Sequence, residues 1–174
     1  MPLSFDGQRV LILGAGVTGN AVARSLIKRG AVVSITDENP AAKSEHTVID
    51  AKSVVIKDFD SVVVSPGWRQ DHPLVVGAIG AGLVLLNEVD LAWQIKNEIA
   101  PGQKWLALTG TNGKTTTVEM VAAMLKCAGL KATACGNVGE TVIEVVDRAD
   151  AYDVLVLELS SFQLHWSKQA QFVA

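Results

Sequence analysis

Cysteine is scarce. Cys127 and Cys135 are the two present, and they sit among apolar and small residues. So sparse a set offers no disulfide framework and no metal-ligand spacing, and both are expected as buried, reduced thiols. No apolar run approaches membrane-spanning length, and no charged start precedes an apolar stretch of the kind that directs secretion. A cytoplasmic protein with no membrane partner is therefore expected. Basic runs and stripes are missing too, and the formal net charge is -3, which argues against nucleic acid as a partner. Trp68, Trp93, Trp105 and Trp166 form no cluster in sequence and read as packing residues rather than a stacking platform. His46 and His165 carry no signal, and His72, followed by proline, reads as a turn or cap residue rather than a ligand.

What is present is a long alternation of short apolar runs and helical stretches. The chain has 174 residues, 49% hydrophobic and 19% charged, enough for one large domain or one domain plus part of another. Arg9 to Leu13 reads as a buried strand, Gly14 to Gly19 as a glycine turn, Val22 to Ile27 as helix, and Ala31 to Thr36 as a second strand. That is a βαβ unit, and it implies a parallel sheet. Further strands are expected near Ser53 to Ile56, at Ser61 to Val64 and at Leu83 to Leu86, with helices over Leu74 to Ala81 and Glu88 to Ile99. Pro101-Gly102 is the natural boundary, since that pair cannot continue a helix. A second unit repeats the alternation: strand Trp105 to Thr109, a loop, helix Thr116 to Ala128, and strands at Lys131 to Ala134 and Tyr152 to Leu159. Phe172-Val173-Ala174 reads as the start of another apolar element. The expected fold class is α/β. A Rossmann-like parallel-sheet domain over 1–100 is followed by the start of a P-loop ATPase-type domain over 101–174.

Each unit carries one glycine-rich turn between strand and helix. Gly14-Ala15-Gly16-Val17-Thr18-Gly19, with Asp37 some way on, fits the G-x-G-x-x-G pattern. The pattern specifies a pyrophosphate near a helix start, so an NAD(P)-binding oxidoreductase domain and a UDP-sugar-binding module both satisfy it, as does a turn serving close packing alone. In the second unit Gly110-Thr111-Asn112-Gly113-Lys114-Thr115 lies between strand and helix. There, backbone N–H groups and the helix start favour a phosphate, the Lys114 ammonium reaches its outer oxygens, and the Thr115 hydroxyl suits magnesium. The full Walker spacing would put glycine at Leu108, so the match is shortened. Glu158 is a lone carboxylate after the run Val154 to Leu157. A buried carboxylate needs a partner, and a magnesium ion would supply one.

The segment Thr109-Gly110-Thr111-Asn112-Gly113-Lys114-Thr115-Thr116 resembles the ATP loop of the Mur ligases, which is also shortened. Gly136-Asn137-Val138-Gly139 looks like that family's Gly-Asn-hydrophobic-Gly element. Glu158-Leu159-Ser160-Ser161-Phe162-Gln163-Leu164, with Ser65-Pro66-Gly67 and His72-Pro73, resembles the D-glutamate-adding branch more than the others. The resemblance implies that ATP phosphorylates the carboxylate of UDP-N-acetylmuramoyl-L-alanine and that D-glutamate then forms the amide, in peptidoglycan synthesis. It further implies that Gly110, Thr111, Asn112, Gly113, Lys114, Thr115 and Thr116 bind ATP, that Thr115 and Glu158 hold Mg2+, and that Lys114, Asn137 and Glu158 are catalytic. On the UDP-substrate side it implies Gly16, Val17, Thr18, Asp37, Ser65, Gly67, Asn137 and Ser160. The family also needs a longer central domain and a third domain. The Asp-His segment, the carbamylated lysine and the acceptor-binding residues of those parts are not among these residues. The expectation is that this chain lacks the C-terminal part of the ligase, binds nucleotide and UDP-substrate, and does not form the amide alone.

Overall fold

Strands buried on both faces read as unbroken apolar runs, and the two strands at the middle of the first sheet, Arg9–Leu13 and Ser61–Val64, are of this kind. The computed structural model describes residues 4–39, 41–148 and 152–172. Its contacts divide the chain into two compact units, residues 4–88 and the residues from Val89 on.

In the first unit β1 (Arg9–Leu13) is central, flanked by β2 (Val32–Asp37) and β4 (Ser61–Val64). Adding β3 (Val48–Asp50) and β5 (Val84–Leu86) gives five parallel strands in the order β3-β2-β1-β4-β5. Leu11, Ile12 and Leu13 are fully buried, and each contributes about 1.5–3 kcal/mol of burial free energy. Helices α1 (Val17–Lys28) and α2 (Pro73–Gly80) supply the crossovers. The strand expected near Ser53 to Ile56 is not formed. The third strand lies earlier, at Val48–Asp50, and two short 3-10 turns follow it. The Asp50 carboxylate accepts the Lys52 N–H at 3.0 Å and turns the chain out of the sheet. Val54 and Val55 therefore belong to turns, not to a ladder.

The second unit begins inside α3 (Glu88–Ile99), ahead of Pro101-Gly102. Three parallel strands, β6 (Lys104–Leu108), β8 (Val154–Glu158) and β7 (Ala132–Gly136), lie in the order β6-β8-β7. Helix α4 (Lys114–Cys127) packs on this sheet through Val118 and Ala122, which meet Val156. Two short helices, α5 (Val142–Val146) and α6 (Ser161–Trp166), each start with a capping box, Thr141 with Glu144 and Ser160 with Gln163.

The tail after α6 is sewn to α3 by one buried carboxylate. Asp90 accepts the backbone N–H groups of Lys168, Gln169 and Ala170 and the hydroxyl of Ser167, at 2.7–3.0 Å. Aromatic rings scattered in sequence meet here. Trp93 stands edge-on to Trp105 at 5.1 Å, and Phe172 stacks on Trp105 at 6.3 Å. The packing role expected for these tryptophans holds, although they do cluster in space. Val173 and Ala174 lie outside the described residues. The Lys96 ammonium sits 4.7 Å above the Trp93 ring and donates to the Pro101 carbonyl. Burial, and then the charge of Lys104, pull it below the usual lysine range. Both thiols are free; Cys135 is buried as expected, but Cys127 is exposed, because it lies on the side of α4 turned from the sheet.

Candidate functional site

Parallel α/β sheets open their crevices beyond the carboxyl ends of the strands, and each unit has its cleft there.

In the first unit the chain leaves β1 at Gly14 and enters α1 at Gly16. Gly14 has φ 113°, and a Cβ on it would stand 2.5 Å from the Ser65 hydroxyl. A Cβ on Gly19 would come 1.8 Å from the Gly14 carbonyl oxygen, so α1 can approach the turn this closely only without one. Gly16 differs, since nothing lies within 4 Å of where its Cβ would be. It caps α1 with no side-chain hydrogen bond, so the helix's first amides face the cleft without an intrahelical acceptor. Asp37 fixes the turn from β2. One carboxylate oxygen accepts the Ala15 N–H at 2.7 Å, and the other accepts the Asn39 N–H at 2.8 Å. Asn20, buried on α1, completes the frame. Its amide donates to the carbonyls of Ala15 and Gly16, and its oxygen accepts from the Ser44 hydroxyl and the Glu45 N–H.

The residues singled out here in the sequence converge. Gly16, Val17, Thr18, Asp37, Ser65 and Gly67 all line one cleft of about 390 Å³. Asp37, Glu38 and Asn39 also line a second, larger cavity of about 720 Å³, walled further by Val48, Ile49, Lys52, His72 and Leu74. His72 caps α2, as expected, by accepting the Leu74 N–H at Nδ1. Sequence reasoning missed its second bond, to Glu38, and missed Asn20. A polar residue on the inward face of α1 directly after the last glycine was the available signal for Asn20.

In the second unit the loop after β6 turns into α4 at Gly113, which has φ 75° in the left-handed region. Lys114 folds its ammonium onto the Gly110 carbonyl at 2.9 Å. Glu158, at the end of the central strand β8, is buried. One of its oxygens accepts the Thr115 hydroxyl at 2.7 Å, and the other accepts the Asn137 amide at 3.4 Å. Gly136 lets β7 come this close, since a Cβ there would stand 2.5 Å from the Glu158 carbonyl oxygen. A cleft of about 540 Å³ is lined by Thr109, Gly110, Thr111, Lys114, Asn137, Ser160, Ser161 and Phe162. Asn112, Gly113, Thr115 and Thr116 lie in the same loop and first helical turn but do not line that cleft. The Ser160 hydroxyl accepts the Gln163 N–H as the cap of α6 while facing the cleft. Phe162 was not singled out for a role, yet it is 68% exposed at the cleft wall.

Among the described residues no group of three or more His, Cys, Asp or Glu could hold a metal. The donors that do meet are the Thr115 hydroxyl and the Glu158 carboxylate. Two hard oxygens fit magnesium, which takes one or two protein ligands and completes its shell with water and phosphate. No helix of the described residues is long and apolar enough to cross a membrane.

A glycine-rich turn joins strand to helix at the head of each parallel sheet, and the second is followed by a Lys-Thr pair, the architecture of an α/β protein with a cleft at each sheet's carboxyl end. The chain belongs to the Mur ligases: residues 8–87 match the family described as "Mur ligase MurD-like, N-terminal domain", and residues 108–174 match "Mur ligase middle domain". Within that family it is similar to UDP-N-acetylmuramoylalanine--D-glutamate ligases. It is 44% identical to that of Thermobifida fusca over 97% of this chain, and 45% identical to that of Mycolicibacterium vanbaalenii over 95%. It spans 38% and 36% of the lengths of those two proteins. The crystal structure of UDP-N-acetylmuramate:L-alanyl-gamma-D-glutamyl-meso-diaminopimelate ligase from Neisseria meningitides shares the fold. That likeness has TM-score 0.50 and 18% identity, and covers 90% of this chain and 55% of that one.

Proposed function

We propose that this chain forms the two nucleotide-holding clefts of an ATP-dependent amide ligase of peptidoglycan synthesis, one that adds D-glutamate to UDP-N-acetylmuramoyl-L-alanine. The observation that carries the reading is the bonded trio Thr115, Glu158 and Asn137 beside the Lys114 loop. A turn serving packing alone has no use for a buried carboxylate joined to the hydroxyl that follows its lysine. An oxidoreductase reading of the first cleft leaves that trio without a role.

In this reading the first cleft takes the substrate's diphosphate at the amides of Gly16, Val17 and Thr18, facing Ser65 and Gly67. The nucleoside enters the larger cavity beside Asp37, whose oxygens keep lone pairs free for it after fixing the turn. In the second cleft the amides of Gly110 to Gly113 and the start of α4 cradle the ATP phosphates. Lys114 exchanges its neutral carbonyl partner for a phosphate oxygen, a stronger charge-assisted bond. Magnesium, held by Thr115 and Glu158, would neutralise charge on the outer phosphates. Asn137 and Ser160 would meet the muramoyl part, whose carboxylate is the phosphoryl acceptor. A carboxylate oxygen attacks phosphorus, the bond to the bridging oxygen breaks, and ADP leaves. The D-glutamate amine then attacks the acyl carbon, loses a proton and expels phosphate. Positioning and charge neutralisation are the protein's share of this chemistry.

Among the described residues Lys114 is the one cation lining the second cleft, and the phosphates occupy it. The two carboxylates of D-glutamate find no partner there, so this chain is expected to bind without turning over. Thermal unfolding tests the assignment. UDP-N-acetylmuramoyl-L-alanine should raise the melting temperature by a few degrees, about 1–3 kcal/mol of linkage at saturating ligand, and NADH should leave it unchanged. A shift with NADH and none with the UDP compound would overturn the reading.

A further inference from the structure

Resting on the nucleotide reading of the first cleft, we propose that His72 and Glu38 form a clasp holding the nucleoside-side wall in its binding shape. His72 is then a positioning residue for a nucleoside diphosphate. The geometry fixes the state of the ring. Nδ1 accepts the Leu74 N–H at 3.2 Å, which puts the neutral ring's proton on Nε2. Nε2 in turn donates to the Glu38 carboxylate at 3.0 Å. Trp68, itself a lining residue of the smaller cleft, packs edge-on against the imidazole at 4.4 Å and holds its plane. The His72 side chain is 17% exposed and that of Glu38 is 69% exposed. A packed ring is thus reached by a carboxylate from the surface.

The position of Glu38 gives the bond its meaning. Asp37, Glu38 and Asn39 are the residues shared by both cavities. Asp37 ties this wall to the glycine turn through the Ala15 N–H. Glu38 ties it, across the mouth, to the start of α2. With both bonds the wall is tied to the glycine turn and to α2; without the second its side-chain tie to α2 is lost. A hydrogen bond this exposed adds little to stability. Its consequence lies in preorganisation, because a wall already in place spares the ligand the cost of ordering it.

The test is calorimetric titration of UDP into the full chain, unmodified and carrying Glu38→Ala, Glu38→Gln or His72→Asn. Asparagine keeps an acceptor for the Leu74 N–H, so α2 retains its cap. Glu38→Ala and His72→Asn should each weaken UDP about fivefold, the worth of one positioned hydrogen bond. The double variant should be no weaker than either alone. Glu38→Gln, which keeps an acceptor oxygen, should stay within about twofold of the unmodified chain. If His72→Asn fails to fold, the two Glu38 variants, altered at the surface, decide the matter. UDP bound equally by Glu38→Ala and the unmodified chain overturns the clasp while leaving the cleft's assignment standing. A Glu38→Gln variant as weak as Glu38→Ala overturns it too, and so does additivity in the double variant. An unmodified chain that binds no UDP overturns the cleft's assignment and the clasp together.

Discussion

Glu158 concentrates the most chemistry in one side chain. It is buried and holds Thr115 on one oxygen and Asn137 on the other. Glu158→Gln keeps the shape and one acceptor, so stability should change by at most about 1 kcal/mol. Magnesium-dependent ATP affinity should fall roughly tenfold or more, because a neutral amide cannot offset the cation's charge. Parallel calorimetry with and without magnesium would check both halves, and unchanged ATP affinity would count against the metal role. Residues of this kind are legible in sequence because their chemistry is unusual for their setting: a lone carboxylate ends an apolar strand, and a lysine stands at a helix start. Asn20, Glu38 and Asp90 were not legible. Asn20 at least stands beside the glycine turn it frames, but the partners of Glu38 and Asp90 lie far along the chain, and nothing in their local sequence names them.

At the level of the element, the two glycine turns were read correctly as joints between strand and helix, and the parallel βαβ order followed from them. The third strand was misplaced because Val54, Val55 and Ile56 make an apolar run, while the true strand, Val48–Asp50, is short and partly exposed. A periodic signal over so few residues does not separate a strand from a half-exposed apolar turn. Within the first turn the glycines have separable duties, which substitution should expose. Gly19→Ala places a methyl against the Gly14 carbonyl and should cost roughly 2–3 kcal/mol by overpacking. Gly16→Ala meets nothing and should cost less than about 1 kcal/mol. Its methyl stands where the diphosphate must approach, so it should abolish UDP binding in a protein that still melts normally. Denaturant unfolding and UDP titration of the pair would distinguish packing from recognition.

For the molecule as a whole, two separate ligand responses are expected. In hydrogen exchange, UDP should slow amides at the head of α1 and along Asp37 to Asn39, leaving the loop before α4 unaffected. ATP with magnesium should slow the amides from Gly110 to Thr116 and leave the first unit unchanged. Protection of both regions by UDP alone, or by ATP with magnesium alone, would contradict these assignments. Pro101-Gly102 marks where a helix must stop, but helix α3 just before it packs with the residues that follow, through Trp93 and Asp90.

That arrangement has a bearing on synthesis. The first sheet can close as soon as β5 leaves the ribosome, since every strand it needs is already made. Helix α3 emerges next with a carboxylate whose hydrogen-bond donors, residues 167–170, are still untranslated. Until they arrive those four hydrogen bonds cannot form, and a carboxylate that lacks them is costlier to bury. The first unit can therefore mature early on the nascent chain, while α3 gains these bonds only once residues 167–170 are made.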